Sequence, residues 1–245
     1  MKLFLFILLI VPNASLVFAS DVSWKVWKKN SLQNVSYRPT KLNDEDKSQL
    51  IEIKATTKVH STISAFLSFI QDVNNTPNWL VNTSESQILK QYSNKEVSFY
   101  IKLANLWPLT PRILMLHSQY WQNKNLSVEI MLTDLNAKED SKSITSRITK
   151  LEQYLPIITH SAHWTITPIP LKYEDERDIG LLIEYQFIAD GRGNTPKWLA
   201  NHLALKSIWK SMRNIRRQLP GIKWQQQKIS GITELSIKEK AVIPE

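Results

Sequence analysis

Between residues 189 and 221 the sequence reads as a sharp turn, a long helix and a stop. Gly191 and Gly193, within Ala189-Asp190-Gly191-Arg192-Gly193-Asn194, supply backbone freedom for the reversal. Thr195 is suited to the N-cap, and Pro196 to the first helical position, where its missing N–H is not needed. Trp198, Leu205, Ile208, Trp209, Met212, Ile215 and Leu219 then recur at helical spacing until Pro220-Gly221 ends the run. Lys206, Lys210, Arg213 and Arg217 fall on a neighbouring face, and no acidic residue occurs between Pro196 and Leu219. The spacing predicts a long helix that lays an apolar stripe on the body of the protein and turns a cationic stripe outward.

What lies beneath that stripe follows from the order of the preceding elements. Trp24 to Trp27 opens ordered structure, and Val35 to Arg38 reads as a short strand ended by Pro39. Gln49 to Val59, rich in Ile, Thr and Val, reads as another strand. Ile63, Phe66, Leu67, Ile70 and Val73 mark an amphipathic helix capped by Ser61 or Thr62. A series of strands follows: Gln87 to Gln91, Val97 to Leu103, Arg112 to Tyr120, Leu126 to Leu132, Ser146 to Gln153, Ser161 to Thr167 and Leu181 to Ala189. Asn136 to Ser143 is polar and predicts an exposed excursion. One early helix, a strand meander and one late helix imply an α+β protein with an antiparallel sheet curled about a helix. A strongly curved sheet closed by a helix leaves room for a small ligand.

The ends of the chain read differently. Met1-Lys2 followed by the apolar run Leu3 to Val11 and the small-residue site Val17-Phe18-Ala19 predicts a secretory leader, residues 1–19, removed after Ala19. The domain is expected over residues 20–220, with residues 221–245 as a flexible tail lacking clear periodicity. The chain has no cysteine, which excludes disulfides, thiol catalysis and attachment through an N-terminal lipidated cysteine. Export without cysteine points to a bacterial periplasm. The net charge of +9 suits an acidic partner or simply keeps a basic protein soluble, and export makes nucleic acid a poorer partner than an anionic membrane surface.

Motifs for catalysis are missing. His60, His117, His160, His163 and His202 form no metal-ligand pattern, and the spacing of His160 and His163 points them to opposite faces of a strand. No nucleophile elbow and no phosphate-cradling loop occurs. No cofactor or metal is expected. Nine tryptophans are numerous for this length. Trp107, Trp164 and Trp198 lie beside turn prolines or strand ends, where an aromatic ring lines a cavity or anchors to a lipid interface.

Several segments, taken together, resemble a START (steroidogenic acute regulatory-related lipid-transfer) domain of the exported bacterial type. They are Phe69 to Val73 with Pro77-Asn78-Trp79, Leu106-Trp107-Pro108-Leu109-Thr110-Pro111-Arg112, His163 to Pro168, Glu184-Tyr185-Gln186, and Ala189 to Asn201. The resemblance implies a helix-grip fold, a curved antiparallel β-sheet wrapped around a long C-terminal α-helix, with a tunnel for a lipid or other apolar small molecule. It implies a wall including Trp107, Trp164, Tyr185, Trp198 and Leu205, with Arg112 at a polar end of the ligand. Two departures stand out. Ile113 follows Arg112 where such proteins often carry an acid, and Asp190-Gly191-Arg192-Gly193 replaces Asp-Pro-Gly-Gly.

The leading expectation is non-enzymatic binding or transfer of an apolar ligand. Two alternatives stay open at this point. One is an enzyme of the wider superfamily using Glu184 or His117 as acid–base groups in the same cavity. The other is an interaction module with a filled cavity and a basic surface formed by Lys206, Lys210, Arg213 and Arg217.

Overall fold

The computed structural model describes residues 23–42, 49–104, 110–135, 153–173 and 176–236. The expected leader, the excursion at Asn136 to Ser143, nearly all of the strand expected over Ser146 to Gln153, and Trp107 lie outside these residues.

The chain begins with β1 (Lys25–Lys29), β2 (Gln33–Pro39) and β3 (Ile51–His60), followed by α1 (Ile63–Gln71), a single 3-10 turn and the short α2 (Thr76–Trp79). The meander is β4 (Thr83–Ser93), β5 (Glu96–Leu103), β6 (Arg112–Gln122) and β7 (Val128–Asp134). After the brief β8 (Leu155–Pro156) come two long strands, β9 (Ile158–Tyr173) and β10 (Glu176–Asp190). The chain then forms α3 (Lys197–Gln218) and α4 (Ile222–Gln225). One sheet holds all ten strands, in the order β1-β2-β3-β10-β9-β7-β6-β5-β4, with β8 alongside β6. Every pairing is antiparallel except that of β8. β10 joins the two halves, pairing β9 on one side and β3 on the other.

Alternation sets which side of the sheet is filled. Ile53, Ala55 and Val59 of β3 and Leu181 and Ile183 of β10 are buried on the inner face. Lys54 and Glu184 meet on the outer face, 3.9 Å apart. α1 is capped by Thr62, whose hydroxyl accepts the Ala65 N–H at 3.1 Å, and it buries Ile63, Phe66, Leu67 and Phe69.

Helix α3 carries the predicted stripe: Leu205, Ile208, Met212, Ile215 and Leu219 are all buried in the principal core. Buried Gln33 of β2 fixes it from one side, donating to the Trp209 carbonyl at 2.7 Å and accepting from Arg216 at 3.2 Å. On the other side the Ser211 hydroxyl accepts the Val81 N–H at 3.0 Å, and Asn214 donates to the Trp79 carbonyl at 3.1 Å. Polar contacts of this kind fix register, whereas apolar burial supplies most of the stabilisation.

Three expectations need correction. The helix cap is Pro196, not Thr195, because the Thr195 hydroxyl accepts a hydrogen bond from Arg112 instead. Of the two glycines in the turn only Gly193 is left-handed, at φ +73°, while Arg192 adopts φ +50° in place of Gly191. The residues after Pro220, expected to form a loose tail, pack on the body as far as they are described. Trp224 of α4 is buried edge-on against Phe69, 5.2 Å between centroids. Glu234 then accepts the free N–H groups of Ile63 and Ser64 at 2.9 and 2.7 Å, sealing the start of α1. Periodicity cannot reveal a carboxylate that caps a helix far back in the chain. Glu234→Ala is expected to lower unfolding free energy by about 1 kcal/mol, read by urea denaturation.

Candidate ligand-binding pocket

Between the inner face of the sheet and helices α1 and α3 lies a pocket of about 370 Å³. That is within the range of roughly 300–1,000 Å³ typical of small-ligand sites. Its walls are mainly apolar. β5 and β6 contribute alternate residues, Val97, Phe99 and Ile101 facing Leu114 and Leu116. β9 and β10 add Trp164, Tyr185 and Phe187, α1 adds Leu67 and Ile70, and α3 adds Leu203, Ala204 and Ile208. The aromatic wall is continuous. Tyr185 stacks on Trp164 with centroids 4.1 Å apart and on Phe187 at 5.0 Å, and Trp79 meets Trp164 edge-on at 6.3 Å.

One end of the pocket is formed by the turn between β10 and α3. Arg112 organises it: Nε donates to the Gly191 carbonyl at 2.7 Å and Nη2 to the Arg192 carbonyl at 3.1 Å and the Thr195 hydroxyl at 3.3 Å, while Nη1 reaches the Thr110 carbonyl. Burial lowers this guanidinium from its ordinary pKa, yet arginine stays charged in a protein. Asp190 completes the turn by accepting from the Arg192 N–H at 3.0 Å and from Lys197 at 2.9 Å. Burial works against the Asp190 carboxylate. The hydrogen bond from Arg192 and the Lys197 ammonium outweigh it and hold its pKa below the usual range. Its contribution to the turn is therefore present above the ordinary carboxylate pKa and disappears only as pH falls through the lowered value.

The residues expected at the wall divide accordingly. Arg112, Trp164 and Tyr185 line the pocket. Leu205 is buried in the principal core without lining it, because the helix turns Ala204 and Ile208 to the space instead. Trp198 is 74 % exposed. Its spacing places it at the margin of the stripe, and its side chain lies largely in solvent. Ile113, which departs from the resembled pattern, is buried on the outer face with Tyr100, Met115 and Leu135 in a second apolar cluster.

The acid–base candidates lie away from the pocket. Glu184 sits on the outer face beside Lys54. His117 lies on the same side, its Nδ1 3.1 Å from the Ser98 hydroxyl and its Nε2 2.9 Å from Glu96. Leu116 and Ser118, its neighbours in β6, are the residues that reach the pocket.

On the opposite side of α3, Lys206, Lys210, Arg213 and Arg217 are exposed, and none is ion-paired among the described residues. Sequence reading missed their neighbours on β1. Trp27 packs edge-on against Trp209 at 6.4 Å, and the Lys28 ammonium lies 4.8 Å above the Trp209 ring. Trp27, Lys28, Lys206, Trp209, Lys210 and Arg213 edge a shallow groove of about 310 Å³. Trp27 is the one part-buried residue of β1, and a five-residue strand does not announce which helix it meets.

This architecture, an open curled sheet gripping a C-terminal helix, is the helix-grip fold of the START domains. The structure is similar to a STAR-related lipid transfer protein from Xanthomonas axonopodis, at 20% identity with a TM-score of 0.61, over 81% of this chain and 99% of that one. It is also similar to the lipid transfer and protein localization domain of human StarD13, at 11% identity and TM-score 0.61, over 82% and 90% of the two chains. Human StAR-related lipid transfer protein 5 gives 14% identity and TM-score 0.59, over 79% and 85%. By sequence, no family model and no curated protein matches the chain.

Proposed function

We propose that the protein binds an apolar small molecule, of lipid character, in the pocket between sheet and helix, and carries it without chemical change. The observation that carries this reading is an apolar space of about 370 Å³ lined by Phe99, Leu116, Trp164 and Phe187. Each Å² of apolar ligand surface moved from water to such a wall contributes about 25 cal/mol. The placement of Glu184 and His117 on the outer face favours binding over acid–base catalysis. The structural neighbours named for lipid transfer lend support at the level of fold. Fluorescence titration with the hydrocarbon diphenylhexatriene tests the reading: saturable uptake of one equivalent is expected, and an unchanged signal would refute it.

The outer face of α3 supports a second part of the proposal, in which the carrier meets an anionic bilayer on the far side of the inner membrane, where the expected leader sends it. Unpaired cations beside Trp27 and Trp209 match a surface of acidic headgroups, each near-surface cation contributing about 1 kcal/mol. Flotation with phosphatidylglycerol vesicles is expected to recover the protein at low salt. Reversing Lys206, Lys210, Arg213 and Arg217 to Glu is expected to abolish recovery, and high salt to weaken it. Equal recovery with neutral phosphatidylcholine vesicles would show that charge plays no part.

A further inference from the structure

The polar groups of the pocket are distributed unevenly. Its charged side chains are Arg112, Asp190, Arg192 and Lys197 around the turn, and Lys95 beside β5, which lies four strands from β10. Arg112 is engaged by carbonyls and Lys197 by Asp190. Tyr185 sits five residues before Asp190, roughly 16 Å along an extended strand, in a stretch of wall without charge among the described residues. Its ring is held on both sides, by Trp164 and by Phe187. Its hydroxyl bonds to no described residue, and burial alone pushes the phenol well above its ordinary pKa, so it is a neutral O–H donor at every physiological pH. Elsewhere on the wall Ser118 and Tyr120 of β6 add hydroxyls, and the Thr159 hydroxyl, in register with Ala189 beside the turn, is buried without a partner.

A donor held rigidly in an apolar wall costs free energy when it faces nothing, so it selects for an acceptor. We propose that the ligand is a neutral apolar molecule bearing a carbonyl or hydroxyl oxygen, which accepts a hydrogen bond from Tyr185 inside the pocket. This rests on the binding reading above and narrows it to a chemical class. A carboxylate or phosphate would also accept from Tyr185, but it would bury an unpaired charge there, and that penalty exceeds what one hydrogen bond returns.

The test uses the full chain and displacement of diphenylhexatriene by 2-dodecanone or dodecanoate at pH 8, with wild type and Tyr185→Phe. The substitution keeps the ring and its stacking. It is expected to weaken 2-dodecanone about fivefold more than it changes hydrocarbon affinity, the worth of one hydrogen bond. Dodecanoate is expected to bind wild type at least about tenfold more weakly than the ketone. Retained hydrocarbon binding by the variant also verifies that it folds. An unchanged ketone affinity, or dodecanoate binding as tightly as the ketone, would overturn the assignment while leaving the pocket reading intact. Failure of wild type to take up the hydrocarbon at all would overturn both.

Discussion

Trp164→Ala is expected to lower the unfolding free energy by about 3–5 kcal/mol, read as a shift in urea midpoint at unchanged slope. Trp164 is 3 % exposed and meets Tyr185, Phe66 and Trp79 at centroid distances of 4.1, 5.9 and 6.3 Å. These partners come from β10, α1 and α2, so one side chain holds the sheet, the first helix and the following turn together. Truncation removes the indole's transfer free energy and leaves a hole that rigid strands on either side cannot close. A loss below about 1 kcal/mol would mean that the wall is already loose enough to collapse.

The second large effect is on binding. Ala204→Phe places a ring in the pocket from α3, where Ala204 faces the space. Because the pocket is empty volume, the ring has somewhere to go, and the stability cost is expected to remain within about 1–3 kcal/mol. Hydrocarbon uptake is expected to fall at least about tenfold, since occupied volume cannot be shared. Fluorescence titration measures the uptake and thermal unfolding the fold. Undiminished uptake by a folded variant would place the ligand elsewhere on the protein.

How far the sequence carried the fold depends on range. The α3 stripe, Leu205, Ile208, Met212, Ile215 and Leu219, was legible because helical period and burial coincide over many turns. Leu181 and Ile183 of β10 were legible from strict alternation. Trp198 misled because periodicity assigns a face to a residue without saying whether anything covers that face. Arg112 lines the pocket, but its partners are backbone carbonyls of a turn far along the chain, and carbonyls leave no mark in a sequence. The capping of α1 by Glu234 was hidden for the same reason. Tyr185 was read as a wall residue through the resemblance, while a hydroxyl with no hydrogen-bond partner among the described residues emerged only from the structure.

The most direct test of the account is native mass spectrometry of the protein purified from cells under gentle conditions, with extraction and identification of whatever it carries. The account predicts a one-to-one complex with a neutral, oxygen-bearing apolar molecule, displaced when Ala204 is enlarged. A bare polypeptide mass, combined with failure to load any added lipid or hydrocarbon, would contradict it.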